Sequence, residues 1–436
     1  MRGDAGQPFA ALGLTLLCLW PIGIEHFVPL IVLPVYVFVF KKTRGTPACQ
    51  IHVAGSAPVY LLALFLGFVV ISSAQVTQSV RLMTYTRDLM AWICATALFA
   101  HFYAHYQTYR LVDGVRPLAI AFWVIVASCA FYIVIGSIQF PSLGYLAAPD
   151  FIKTSMTGAR FLLKDFGEQL YFYGFTDRVS SFFGSPIHLA CVLFLLLPFA
   201  LHDRQSTVGR VIVYGAALTV VFFAQARVAL VLMALYPLLV GMRRAAVAPT
   251  FSPASLLAVT VIVVVCAVAI LLFSQSGVAF AKEAFLERRS GSVEARTMIY
   301  TQSLEWIKQR PFWGYGTQID VAGLEYPLGS HSTPIGLAFK YGLIACLGMM
   351  GFLMSSYVVV IQVFRRERAR EASLFYGCLL SSFTCYYALI TVNEFVVDLY
   401  HHLVLFAVLG ALWGTRRQTC VAHDRPRATA ACAIGE

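Results

Sequence analysis

Charge is what this chain has least of. Only 12% of its 436 residues are Asp, Glu, Lys or Arg, while 59% are hydrophobic; a soluble domain carries about 25% charged residues. Together with a mean hydropathy of +0.75, this excludes a soluble enzyme and reads as an integral membrane protein. The 11 cysteines include no C-x-x-C or Cys/His spacing of the kind that marks zinc sites or disulfide frameworks. Most of them (Cys18, Cys94, Cys129, Cys191, Cys266, Cys346, Cys378 and Cys385) lie within apolar runs, where a thiol behaves as a small hydrophobe. No small-residue cleavage site follows the first apolar run, Phe9 to Gly23, so that run is expected to be a retained span. The loops contain no Walker motif, G-x-S-x-G elbow or Asp-x-Asp pair. Neither a metal nor a cofactor is therefore expected. No internal repeat or low-complexity tract is present.

What the chain does have is a succession of apolar runs. A span needs about 20 predominantly apolar residues, and on that basis twelve are predicted, at about 8–24, 27–41, 57–75, 86–106, 117–139, 186–202, 209–224, 227–242, 253–274, 334–363, 373–396 and 399–415. Cytoplasmic loops carry excess Lys and Arg. With twelve spans and both termini cytoplasmic, 18 of the 32 Lys and Arg residues, Arg110, Arg365 and Arg366 among them, fall on one side. The net charge of +11 is thus expected to come mostly from loops, and no nucleic-acid partner is expected. The fold class predicted is an all-α polytopic membrane protein with a large helical loop on the non-cytoplasmic side between spans nine and ten. Its organisation is predicted as 1–274 for spans one to nine (with an external loop at about 140–185), 275–333 for the loop domain, 334–416 for spans ten to twelve, and 417–436 for a cytoplasmic tail.

The loop at 275–333 holds six cations (Lys282, Arg288, Arg289, Arg296, Lys308, Arg310) and six anions (Glu283, Glu287, Glu294, Glu305, Asp320, Glu325). Balanced charge at helical spacing predicts a folded piece. Residues 278–289 read as a short amphipathic helix. A second is expected to start at Ser292, an N-cap followed by Glu294, and to carry Met298, Ile299, Trp306 and Ile307 at helical spacing. It should end near Gln309, because Arg310-Pro311 breaks it. Residues 311–316 read as a turn, and Thr333-Pro334 as the start of a span. The other long loop is rich in aromatics (Phe161, Phe166, Tyr171, Phe172, Tyr173, Phe175), which reads either as an interfacial belt or as a lid over a lipid.

Three arginines stand out. Arg227 lies at the junction of two short spans, where an ionisable group is costly, although snorkelling to the interface would also place it there. Arg178 opens the turn into span six. Arg296 sits early in the second loop helix, where a cation opposes the macrodipole. Guanidinium binds phosphate in a fork geometry and keeps its charge, so arginines converging at a membrane surface suit a lipid-linked pyrophosphate. Arg288 and Arg289 in the same loop are candidates for that role too. His331, in Gly329-Ser330-His331 before a span, is the candidate base, since an imidazole's ordinary pKa of about 6.5 suits proton transfer near neutrality. His26, His401 and His402 compete for the role, and Glu394 or Asp398 could orient a histidine.

These pieces, in this order, resemble the O-antigen ligase and O-antigen polymerase superfamily of bacterial envelope glycosyltransferases. Arg178 with Phe182-Phe-Gly184-Ser-Pro186 is similar to its Arg…Gly/Phe…Asn-Pro element, and Gln225-Ala-Arg227 to its Ser-x-Ser-Arg. Arg296 with Pro311-Phe-Trp-Gly314-Tyr-Gly316 resembles its Arg…Pro-x-x-Gly-x-Gly, and Gly329-Ser-His331 with Gly342 its Ser-His-Asn…Gly signature. Ser332, His188 and Lys340 depart from that pattern, standing where the family often has Asn, Asn and an acid. The resemblance implies transfer of a glycan from undecaprenyl pyrophosphate on the periplasmic face of the bacterial inner membrane, without nucleotide sugar or metal. An O-antigen ligase would use the lipid A–core oligosaccharide as acceptor; a polymerase would use a second lipid-linked repeat unit. It further implies that His331 activates the acceptor hydroxyl and that Arg227 and Arg296, with Arg178, hold the pyrophosphate. The alternative from another class is a transporter of a lipid-linked glycan, which favours ionisable residues in mid-span and broken helices in corresponding halves.

Overall fold

The computed structural model describes residues 5–19, 57–76, 79–138, 186–204, 206–224, 226–247, 290–324, 327–367, 370–391 and 399–424. Eleven α-helices lie in these segments: α1 (Gln7–Leu19), α2 (Ala57–Ile71), α3 (Ser79–His105), α4 (Val115–Ile138), α5 (Pro186–Asp203), α6 (Thr207–Phe223), α7 (Arg227–Val247), α8 (Ser290–Gln309), α9 (Thr333–Arg366), α10 (Arg370–Thr391) and α11 (Leu399–Asp424). Among the described residues no strand forms; a single bridge joins Ile319 and Leu328. The all-helical class follows from the solvent, because in lipid each backbone N–H and C=O must find its partner within its own segment.

Four described segments are long and apolar enough to cross a membrane: Pro58–Gln75, Leu111–Ala130, Thr333–Arg366 and Glu371–Thr391. Shorter apolar helices occupy Ile187–Asp203, Thr207–Phe223, Val228–Arg243 and His402–Arg416. Ten of the twelve predicted spans coincide in whole or part with described helices. Those at 27–41 and 253–274 lie outside the described residues, as do the aromatic loop, the helix expected at 278–289 and the end of the tail.

The centre of the bundle is α5. Every residue from 188 to 200 is buried, as expected of a helix that is apolar all round, and it packs against α4, α6 and α10. The most extensive pairings are α11 with α3 and α9 with α2. The first depends on Gly410 and Gly414, a small-x-x-x-small pair that lets helices in lipid approach closely. A Cβ at Gly410 would lie 2.3 Å from the Phe99 carbonyl oxygen, and one at Gly414 would lie 2.5 Å from that of Tyr103. Pro237 interrupts α7 and frees the carbonyl one turn earlier. That carbonyl, of Met233, accepts from Tyr214 Oη at 2.6 Å.

The two ends of the bundle can be told apart by contacts. At one, Arg110 pairs with Glu367, and the Leu111 amide donates to Thr415 Oγ1 at 3.0 Å. At the other, Ser332 Oγ donates to the Thr391 carbonyl at 3.0 Å, and Arg310 Nη1 donates to Gln75 Oε1 at 2.9 Å. Arg110, Arg365 and Arg366, which the charge pattern assigned to one side, thus share an end, away from His331.

Candidate active site

Helix α8 already includes Ser290, so Ser292 lies inside the helix and is not its cap. Its buried stripe is Ile299, Ser303 and Ile307, one residue per turn. Met298, expected on that face, is 47% exposed. The helix ends at Gln309, as Arg310-Pro311 predicted.

Beyond Gln309 lies a clamp the sequence did not announce. Helix α9 is broken at Gly342 (φ 87, ψ 167), a left-handed backbone that glycine adopts without a Cβ penalty. The turn at 311–316 fills the break. The amides of Tyr315 and Gly316 donate to the carbonyls of Phe339 (2.9 Å) and Lys340 (2.7 Å), and the Leu343 amide donates to the Pro311 carbonyl (2.7 Å). The backbones meet so closely that a Cβ at Gly342 would lie 2.0 Å from the Phe312 carbonyl oxygen, and one at Gly314 2.5 Å from that of Lys340. Tyr315 stacks on Phe339 with ring centroids 4.9 Å apart, and the guanidinium carbon of Arg310 sits 5.1 Å from the Tyr315 ring centroid. Residues 333–341 thereby form a separate short helix.

His331 stands just before that helix, at φ 62, and among the described residues is the one non-glycine at positive φ. Such a conformation costs of order 1–3 kcal/mol and persists only where surroundings impose it. Here they do. Tyr300 Oη donates to the His331 carbonyl at 2.6 Å. The Gly329 amide donates to Ser303 Oγ at 2.9 Å, Ser330 Oγ donates to the Pro327 carbonyl at 2.6 Å, and Ser332 ties to α10. The residue is half-buried and its Nε2 is covered, so the imidazole is more enclosed than a residue at an open mouth.

Arg296 is half-buried on α8, one turn before Tyr300. Burial raises the Tyr300 phenol above its ordinary value, and the Arg296 guanidinium opposes that rise. Tyr300, which sequence reasoning missed, therefore links the helix of Arg296 to the backbone of His331. Its only sequence signal was a tyrosine one turn beyond an arginine. Arg227 is the first residue of α7. Its side chain and that of His401 lie outside the described residues, as do Arg178, Arg288, Arg289, His26, Glu394 and Asp398. One other expectation is corrected. His402 is 4% exposed and meets Trp92 edge-on at 5.1 Å, so it belongs to the core. Lys340, which stands where the family often has an acid, is 3% exposed, with Nζ 4.0 Å from Asp88 Oδ2.

No curated protein matches the chain. Residues 189–350 match the model of a family described as O-antigen ligase. The matched segment runs from α5 to the first turns beyond the break in α9, and it contains Arg227, Arg296, the clamp at 311–316, His331 and Gly342. These residues occur in the order expected of that family, and over this stretch the chain is similar to the O-antigen ligase family.

Proposed function

We propose that this protein is an O-antigen ligase, a twelve-span enzyme of the bacterial inner membrane that works on its periplasmic face. It transfers a glycan from undecaprenyl pyrophosphate to the lipid A–core oligosaccharide. In this reading the acceptor hydroxyl attacks the anomeric carbon while the bond to pyrophosphate breaks. The bonding pair leaves with undecaprenyl pyrophosphate, and the hydroxyl proton passes to His331. Arg227 and Arg296, with Arg178, Arg288 and Arg289 from the adjoining loops, hold the leaving group. Fixed charge aimed where negative charge develops is worth most in an enclosed site.

The observation that supports this reading is His331 itself. An imidazole-bearing residue is kept in a left-handed conformation by four hydrogen bonds around it, at the end of the bundle opposite Glu367. Its backbone is tied through Tyr300 to the helix of Arg296. Strain over-determined in this way points to a functional site.

The test is transfer by purified protein given a lipid-linked glycan donor, with and without lipid A–core. Product only when the core lipid is present supports the ligase. Longer lipid-linked chains without it would identify a polymerase, and no transfer under either condition would favour a transporter. Arg227→Lys should lower kcat/KM about tenfold or more, because ammonium cannot make a forked phosphate contact. Equal activity would reduce Arg227 to an interfacial anchor.

A further inference from the structure

We propose that Asp88 and Lys340 are positioning residues for His331, an ion pair that seats the short helix 333–341 in the bundle. The inference rests on the reading of His331 as the base.

Both groups are all but excluded from solvent, Asp88 at 5% and Lys340 at 3%, within helices packed in an apolar bundle. Ionisable residues at such places are costly and mark function by default. Stability does not account for them. A buried ion pair can commonly be replaced by apolar residues at no cost, and often with a gain. What such a pair does supply is a unique arrangement, since neither charge tolerates the loss of the other.

Its place in the fold says which arrangement is fixed. Residues 333–341 begin just behind His331 and end at the break in α9. The outer end is held to α8 and α10 through Tyr300, Ser303 and Ser332. The inner end is capped by the turn at 311–316. None of those bonds reaches α3; Lys340 adds that tie, its Nζ lying 4.0 Å from Asp88 Oδ2 on α3. Helix α3 is fixed in turn. One turn beyond Asp88, Trp92 packs edge-on against Phe65 of α2 at 4.8 Å and against His402 of α11 at 5.1 Å. Neither charged group needs to touch substrate to act; each works through the backbone that carries His331.

The test uses the full-length enzyme in lipid nanodiscs, with the lipid-linked donor and lipid A–core. The double variant Asp88→Leu/Lys340→Met removes both charges together. It should melt no lower than wild type, while kcat falls about tenfold to a hundredfold, in keeping with a misplacement below or near 1 Å, and donor KM stays unchanged. Amides of 333–341 should exchange faster with solvent. Lys340→Arg, which keeps the charge, should retain most of kcat. Failure of the neutral double variant to fold would overturn the proposal, as would wild-type kcat with unchanged exchange, or a raised KM with kcat intact. Faster exchange with wild-type kcat would leave the seating in place and remove His331 from the chemistry.

Discussion

His331 occupies a backbone conformation that glycine adopts freely and other residues do not, which separates what its backbone costs from what its side chain does. His331→Gly keeps the left-handed turn and deletes the imidazole. Relief of strain and the entropy of a new glycine act in opposite directions, each about 1 kcal/mol. Its thermal midpoint should therefore stay near wild type, whereas His331→Ala, which keeps the strain, should melt no higher. Tyr300→Phe removes the donor to the His331 carbonyl, a hydrogen bond worth about 1 kcal/mol, and should lower kcat severalfold. Its pH dependence has a definite sign. Burial raises the folded-state pKa of Tyr300, so the phenol stays protonated and its contribution is fully present below its ordinary value of about 10. That contribution is lost only as the pH rises through the raised value. The pH–rate profile of Tyr300→Phe from about pH 6 to 9 should consequently match wild type in shape and fall in height. A shift of either limb would mean that Tyr300 itself titrates in the reaction.

Among the helices, the consequential feature is the break in α9 and the turn that fills it. A methyl at Gly342 would collide with the Phe312 carbonyl, and such overpacking costs about 1–3 kcal/mol. Gly342→Ala should therefore lower the thermal midpoint and abolish transfer. The control is Gly67, in α2, where nothing lies within 4 Å of the position a Cβ would take. Gly67→Ala should stabilise by about 0.5–1 kcal/mol, the usual helix gain, with activity intact. The break itself was not legible in the sequence. Residues 334–363 read as one continuous span because a single glycine in an apolar run is compatible with a helix. Only the hydrogen bonds from 315 and 316, distant in sequence, turn Gly342 into a joint. By contrast, the stop at Gln309 and the start at Thr333 were readable, since proline acts on its immediate neighbours. The place of Lys340 was not legible, for the same reason as that of Gly342. Its burial depends on Asp88, some 250 positions earlier, and no local pattern carries that information.

At the scale of the whole molecule, the alternation of basic loops was the most legible property. It placed Arg110 with Arg365 and Arg366, and the Arg110–Glu367 pair brings those loops to one end. That end is expected to face the cytoplasm. A single cysteine introduced at Ala322, which is exposed in the loop at the His331 end, should react with a membrane-impermeant maleimide on intact cells with a permeabilised outer membrane. A cysteine at Glu367 should react only after lysis, and the reverse pattern would invert the topology. The docking of α3 on α11 gives a second expectation at this scale. Gly410→Leu should disrupt the bundle and abolish expression of a folded protein, because no space exists beside Phe99. The central claim joins this architecture to one imidazole, and one assay tests it most directly. Purified wild type and His331→Gly, matched for thermal midpoint, are given the lipid-linked donor and lipid A–core, and glycan joined to the core is measured. Wild type should give product and His331→Gly should lose at least about a hundredfold, within the range of about 10²–10⁴ typical of a general base. Equal transfer by the two proteins would contradict the assignment of His331 as the base.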